Sequence, residues 1–183
     1  MWTLPNLLTL SRIAVIPLLM GSFYLAQPLG SHLAFILFVL AGVTDFFDGW
    51  VARNMGSVSQ IGIFLDPIAD KLMVAAVIIM VVDVNWVTGL HSIPAVIIMC
   101  RELLVSGLRE YLAGVRVSVP VTWLAKWKTT VQMVALGALT WVEGGAALGL
   151  PAHEIGLTLL WLAAVLTLYT GYDYVRGGMK HMV

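Results

Sequence analysis

Between residues 45 and 70 the chain reads DFFDGWVARNMGSVSQIGIFLDPIAD, four aspartates within a 183-residue sequence that is 60% hydrophobic and only 11% charged. Soluble domains carry charge at about a quarter of their positions, so a chain this poor in charge is suited to a lipid environment. An aspartate near the middle of a membrane helix costs roughly 2.5–3.5 kcal/mol on insertion scales. Asp45, Asp48, Asp66 and Asp70 together therefore require a cation close by, and a metal ion is the simplest one.

Their spacing points the same way. Asp45, Asp48, Gly49 and Ala52 fall on one face of an α-helix, and Gly62, Asp66 and Asp70 do so at steps of four. Each helix offers two carboxylates on one stripe. The polar run Asn54 to Gln60 reads as a tight loop, which makes the two segments an antiparallel hairpin. Asp45 and Asp70 stand equally far from the middle of that loop, and Asp48 and Asp66 nearly so. At about 1.5 Å of rise per residue, the members of each pair lie at similar depth and four oxygen ligands converge. Oxygen-only ligation suits a hard cation, Mg²⁺ or Mn²⁺, which keeps waters and shares substrate phosphates.

Apolar windows near 5–26, 32–53, 61–84, 88–113, 120–142 and 152–175 are each long enough to cross a hydrocarbon core of about 30 Å. The expected fold is all-α: an integral membrane bundle of six transmembrane helices with a polar metal-binding cleft, forming a single domain over residues 1–183. Residues 1–26 read as a membrane helix rather than a cleavable signal, because no basic stretch precedes the apolar run and Arg12 interrupts it. Arg53, then Arg109, Arg116, Lys126 and Lys128, then Arg176 and Lys180 gather in the even connections and the tail, whereas Asp83, Glu143 and Glu154 adjoin the odd ones. The positive-inside rule then puts both termini and the mouth of the acidic hairpin on the cytoplasmic side. A multi-pass protein of the inner, cytoplasmic membrane is expected. Basic and acidic residues balance at 10 each, which gives no sign of a nucleic-acid partner. The single cysteine, Cys100, cannot form an internal disulfide and reads as a free buried thiol.

The pattern Asp45-x2-Asp48-Gly49-x2-Ala52-Arg53-x8-Gly62-x3-Asp66-x3-Asp70 resembles the signature of the CDP-alcohol phosphotransferase family. The stretches PNLLTLSRI, RELLVSGLREYL and KWKTTVQMVALG resemble the bacterial members whose acceptor is sn-glycerol 3-phosphate, and the likeness covers nearly the whole chain. The resemblance implies transfer of a phosphatidyl group from CDP-diacylglycerol to an alcohol, with CMP leaving. It implies two divalent ions held by Asp45, Asp48, Asp66 and Asp70, with Asp70 also the base that takes the acceptor's proton. It also implies a homodimer among membrane lipids.

Other residues carry two readings each. Asn6, Thr9 and Arg12 share one side of the first helix, and Arg12 either faces the acidic pocket or its phosphate ligand, or snorkels to headgroups. Arg53 either grips a substrate phosphate or anchors the helix end. Gly49 and Gly62 mark a close backbone approach by the nucleotide or tight helix packing. With Asp48 and Ala52 these make the expected CDP-diacylglycerol contacts. Arg101, Arg109, Lys126 and Lys128 are the expected acceptor-phosphate residues, against pairing with an acid or binding of anionic lipid. Glu102, Ser106 and Arg109 form one polar stripe. The four histidines sit at segment edges, away from ligand-like neighbours. Two other classes compete with the transferase. A divalent-cation transporter would need acids along a path, but these stop at one depth. An intramembrane aspartyl protease would need two aspartates sharing a proton, which four acids with Arg53 fit poorly.

Overall fold

A computed structural model of the chain describes residues 4–55, 60–115, 117 and 122–179, with side chains described for all of these except 4–6, 46–55, 60, 61 and 63. Every regular element among the described residues is helical. In chain order these are α1 (Leu4–Ser22), α2 (Leu29–Met55), α3 (Gln60–Asp83), a single 3₁₀ turn at Gly89–His91, α4 (Ser92–Gly114), α5 (Trp123–Thr140), the short α6 (Val142–Ala147) and α7 (Ala152–Met179). Of the residues expected as a loop, Asn54 and Met55 are helical at the end of α2 and Gln60 at the start of α3; the rest, 56–59, lie outside the described residues.

Local chemistry sets the ends. Pro5 stands in the first turn of α1, where an N–H would have no helical partner anyway. The helix stops at Ser22, short of the expected residue 26. There Ser22 Oγ turns back onto the Leu19 carbonyl, and the N–H groups of Phe23, Tyr24 and Leu25 each donate to the carbonyl three residues earlier. α3 ends after Asp83 in a left-handed residue, Asn85 (φ 61°), with Trp86 N–H closing onto Val81 O, the arrangement by which a helix C-terminus satisfies its last carbonyls. Thr122 Oγ1 accepts from Ala125 N–H and caps α5. α7 carries Glu154 in its first turn and Arg176 in its last, each complementing the helix dipole.

The chain forms two compact units, Met1–Trp86 with Gly137–His153, and Val87–Leu136 with Glu154–Val183. In the first, α1 packs on both α2 and α3, with Leu19, Ala34, Phe38, Met73 and Val77 buried. Ser31 Oγ donates to Thr140 O, the Phe35 ring stacks on Trp141 at 5.0 Å, and His153 bonds the Trp86 carbonyl. In the second unit, Ile98, Val105, Leu112, Leu136 and Leu160 are buried, and Trp161 Nε1 donates to His91 Nδ1.

Gly89–Gly114 and Ala152–Met179 are long and apolar enough to cross a membrane. Large apolar side chains such as Leu18, Phe64, Leu103 and Val165 are exposed. Exposed apolar side chains in such number suit contact with lipid. Cys100 corrects an expectation: its thiol is free but exposed. Apolar neighbours in the sequence do not imply burial when the outer face of a helix is apolar too.

Candidate active site

Thr9 and Arg12, three residues apart on one face of α1, are both buried. Thr9 Oγ1 donates to Asp66 Oδ1 at 2.5 Å. Arg12 Nη1 pairs with Asp45 Oδ1 at 2.5 Å. One turn of α1 thus gathers an acid from α2 and an acid from α3. The Arg12 side chain is 2% exposed and that of Asp45 53%, so the guanidinium is sealed inside while the carboxylate retains an open side. Asp66 is exposed, Asp70 is half-buried, and Gly62 is buried. Asp48, Gly49, Ala52 and Arg53 stand in α2 by their backbone, but their side chains, like that of Asn6, lie outside the described residues.

Asp45 and Asp66 each keep an open side while one oxygen is held by α1. Among the described residues, no three acidic, histidine or cysteine side chains close around one point. The donor chemistry, carboxylate oxygens with an open side at Asp45 and Asp66, fits a hard divalent ion that keeps part of its water shell.

The basic residues divide. Lys128 Nζ donates to Glu102 Oε1, and Arg101 Nη1 reaches the same oxygen at 3.4 Å. Arg101 Nη2 donates to Thr170 Oγ1 at 3.3 Å. All three charged side chains are largely buried, Lys128 at 4% exposed. Gly171 makes room for the arginine, since a Cβ there would lie 3.0 Å from Arg101 Cγ. Two cations thus share one carboxylate. Arg109 and Lys126 do not share that carboxylate: Arg109 is exposed, with its guanidinium carbon 5.7 Å from the Tyr174 ring centre and its charge within range to repel that of Arg101, and Lys126 is exposed. Of the four basic residues expected together, the structure brings together Arg101 and Lys128.

The alternative reading of Arg101, pairing with a nearby acid, is met at Glu102; that Lys128 shares the same carboxylate was not foreseen. Sequence reasoning also missed Thr170 and Gln132. The available signal for Gln132 was its position one helical turn after Lys128, in an otherwise apolar run.

The profile of the CDP-alcohol phosphatidyltransferase family matches residues 2–169. The chain belongs to that family. Among its relatives, the CDP-diacylglycerol–glycerol-3-phosphate 3-phosphatidyltransferase of Rickettsia bellii is 49% identical over 97% of this chain and 96% of its own length. Proteins of the same name from Pectobacterium atrosepticum and Haemophilus influenzae are 41% and 38% identical, covering 100% and 96% of this chain and 98% and 92% of their own lengths. The match takes in all of α1 to α3 among its residues, including the turn of α1 that meets Asp45 and Asp66.

Proposed function

We infer that the chain is a transferase that moves the phosphatidyl group of CDP-diacylglycerol to sn-glycerol 3-phosphate and releases CMP, a step of phospholipid biosynthesis. Near full-length identity to relatives bearing that name supports the acceptor. The geometric observation that carries the reading is the single turn of α1 on which Thr9 meets Asp66 and Arg12 meets Asp45.

Asp45, Asp48, Asp66 and Asp70 would hold two divalent ions, Mg²⁺ or Mn²⁺, which when bound offset the charge of the diphosphate and of the departing CMP. Arg12, Asp48, Gly49, Ala52, Arg53 and Gly62 would line the CDP-diacylglycerol site. Arg12 is already buried against Asp45, so it fixes that carboxylate and carries positive charge to where a diphosphate would approach. Arg53 supplies a planar fork suited to a phosphate. The acceptor's 1-hydroxyl oxygen attacks the phosphorus nearest the diacylglycerol, the bond from that phosphorus to the CMP oxygen breaks, and Asp70 takes the hydroxyl proton. Arg101 and Lys128 meet the acceptor's phosphate, and the exposed Arg109 and Lys126 draw the anion in.

The topology that accompanies this reading is one domain crossing the membrane six times, with both termini and the acidic cleft on the cytoplasmic side of the inner membrane and two copies associating as a homodimer. The surplus of exposed apolar side chains supports membrane embedding.

The test offers purified protein CDP-diacylglycerol and Mg²⁺ with glycerol 3-phosphate, serine, inositol or phosphatidylglycerol in turn, and measures CMP release. Glycerol 3-phosphate should be preferred. Preference for another alcohol would overturn the acceptor assignment and leave the metal site standing.

A further inference from the structure

Gln132 lies one helical turn after Lys128 on α5, on the same face. It is 3% exposed, and its side-chain oxygen has no hydrogen-bond partner among the described residues. Buried amide oxygens are nearly always satisfied, and an orphan one marks a place where a partner arrives. Two more orphan atoms border the same group: Arg101 Nε, and Thr167 Oγ1 one turn before the Thr170 that accepts from Arg101. Unsatisfied polar atoms from α4, α5 and α7 thus adjoin the cluster in which Arg101 and Lys128 share the Glu102 carboxylate. A ligand suited to it has one anionic end and, beside it, neutral hydrogen-bonding groups.

We propose that Gln132 is a specificity-determining residue whose side-chain amide takes the 2-hydroxyl of the acceptor, one turn along α5 from the Lys128 ammonium. This rests on the reading of glycerol 3-phosphate as acceptor. Side chains four apart on a helix have Cβ atoms about 5–6 Å apart, a separation that a three-carbon phosphate bridges from its anionic end to its hydroxyls. An ammonium has three N–H donors and serves Glu102 and a phosphate together. The 1-hydroxyl is consumed by the reaction, so the 2-hydroxyl is the one left for recognition. A hydroxyl both donates and accepts, and it pairs with the amide in either orientation.

The experiment compares glycerol 3-phosphate with 3-hydroxypropyl phosphate, which keeps the phosphate and the reacting hydroxyl but lacks the 2-hydroxyl. The intact protein should favour glycerol 3-phosphate in kcat/KM by about 10- to 100-fold, the cost of leaving one buried neutral amide unpaired. In Gln132→Leu and Gln132→Met that preference should collapse. The glycerol 3-phosphate value should fall toward that of the analogue, while the analogue's own value and the KM for CDP-diacylglycerol stay within about threefold, the scatter of a tolerated apolar swap. Preference is read within each protein, so differences in yield or folding do not enter it. Retention of the preference in both variants, a parallel loss with both acceptors, or no preference in the intact protein would each overturn the proposal. Absence of any turnover of glycerol 3-phosphate by the intact protein would instead overturn the acceptor reading beneath it.

Discussion

In the first unit the aspartates stand at the outer side of a buried arginine; in the second, the cations are themselves buried and share one carboxylate. Asp45 is half-exposed against a sealed Arg12, whereas Arg101, Lys128 and Glu102 are all largely enclosed. Both regions put charge on apolar helices, carboxylates with an open side in the first and two enclosed cations on one carboxylate in the second. The difference teaches what each region lacks. An acidic set with an open side is completed by a cation, and a closed basic set with orphan polar atoms by an anion that brings its own hydrogen-bonding groups.

The sharpest way to break this contrast is to neutralise the acids. Asp45→Asn, Asp48→Asn or Asp66→Asn should lower CMP release by on the order of 10²–10³-fold or more, as loss of one charge-stabilising group does elsewhere. Raised Mg²⁺ or Mn²⁺ should recover part of that loss. Asp70→Asn should not recover, because added metal does not restore a proton acceptor; recovery there would make Asp70 a ligand alone. Near-normal turnover in any of the first three at ordinary Mg²⁺ would sink the cation site.

A second test addresses the closed region. Glu102→Gln leaves two enclosed cations facing each other, and breaking a buried ion pair from one side costs about 3–5 kcal/mol. Adding Lys128→Gln to it should return much of that stability, since the pair is then replaced by neutral groups of similar shape. Unfolding in detergent, read for both single variants and the double, gives the coupling. A coupling near zero would mean that the contact between Lys128 and Glu102 is incidental.

How much of this was legible in the sequence depended on the range of the interaction. The aspartate stripes were legible because the helical repeat is local and charge is scarce, so any regular acid spacing stands out. The end of α1 was not: Phe23, Leu25 and Ala26 are apolar and extend the hydrophobic window, yet their backbone turns back on itself after Ser22. α6 was hidden because Val142–Ala147 is short and holds two glycines. The grouping of the basic residues failed for a different reason. Lys128 and Glu102 are 26 residues apart, and no local pattern tells Lys128, which turns inward to an acid, from Lys126, which faces outward.

That partition of the cations gives a third, smaller effect. Arg101→Gln or Lys128→Gln should raise the KM for glycerol 3-phosphate by about 10- to 100-fold, the range for losing a hydrogen bond to a charged group. Arg109→Gln and Lys126→Gln, exposed and screened by salt, should raise it by no more than about threefold and mostly at low ionic strength. Equal effects from all four would mean that the acceptor's phosphate is held by the whole basic set rather than by the enclosed pair.

The smallest expected effect concerns the neutral contact in the acidic region, Thr9 to Asp66. Thr9 is fully buried and donates its hydroxyl proton to a carboxylate that is otherwise exposed. Thr9→Val keeps the shape and removes the donor, so the bond to a charged acceptor is lost and water replaces it in part. Stability should fall by about 1 kcal/mol. Turnover should fall only a few-fold, because Asp66 keeps its charge and loses only its orientation. Thr9→Ser, which keeps the hydroxyl, should restore turnover, and higher Mg²⁺ should narrow the gap for Thr9→Val because an imperfectly aimed ligand weakens metal affinity before it weakens chemistry. A Thr9→Val protein whose dependence on Mg²⁺ matches the unaltered one would show that the hydroxyl supports the packing of α1 on α3 and does not aim the carboxylate.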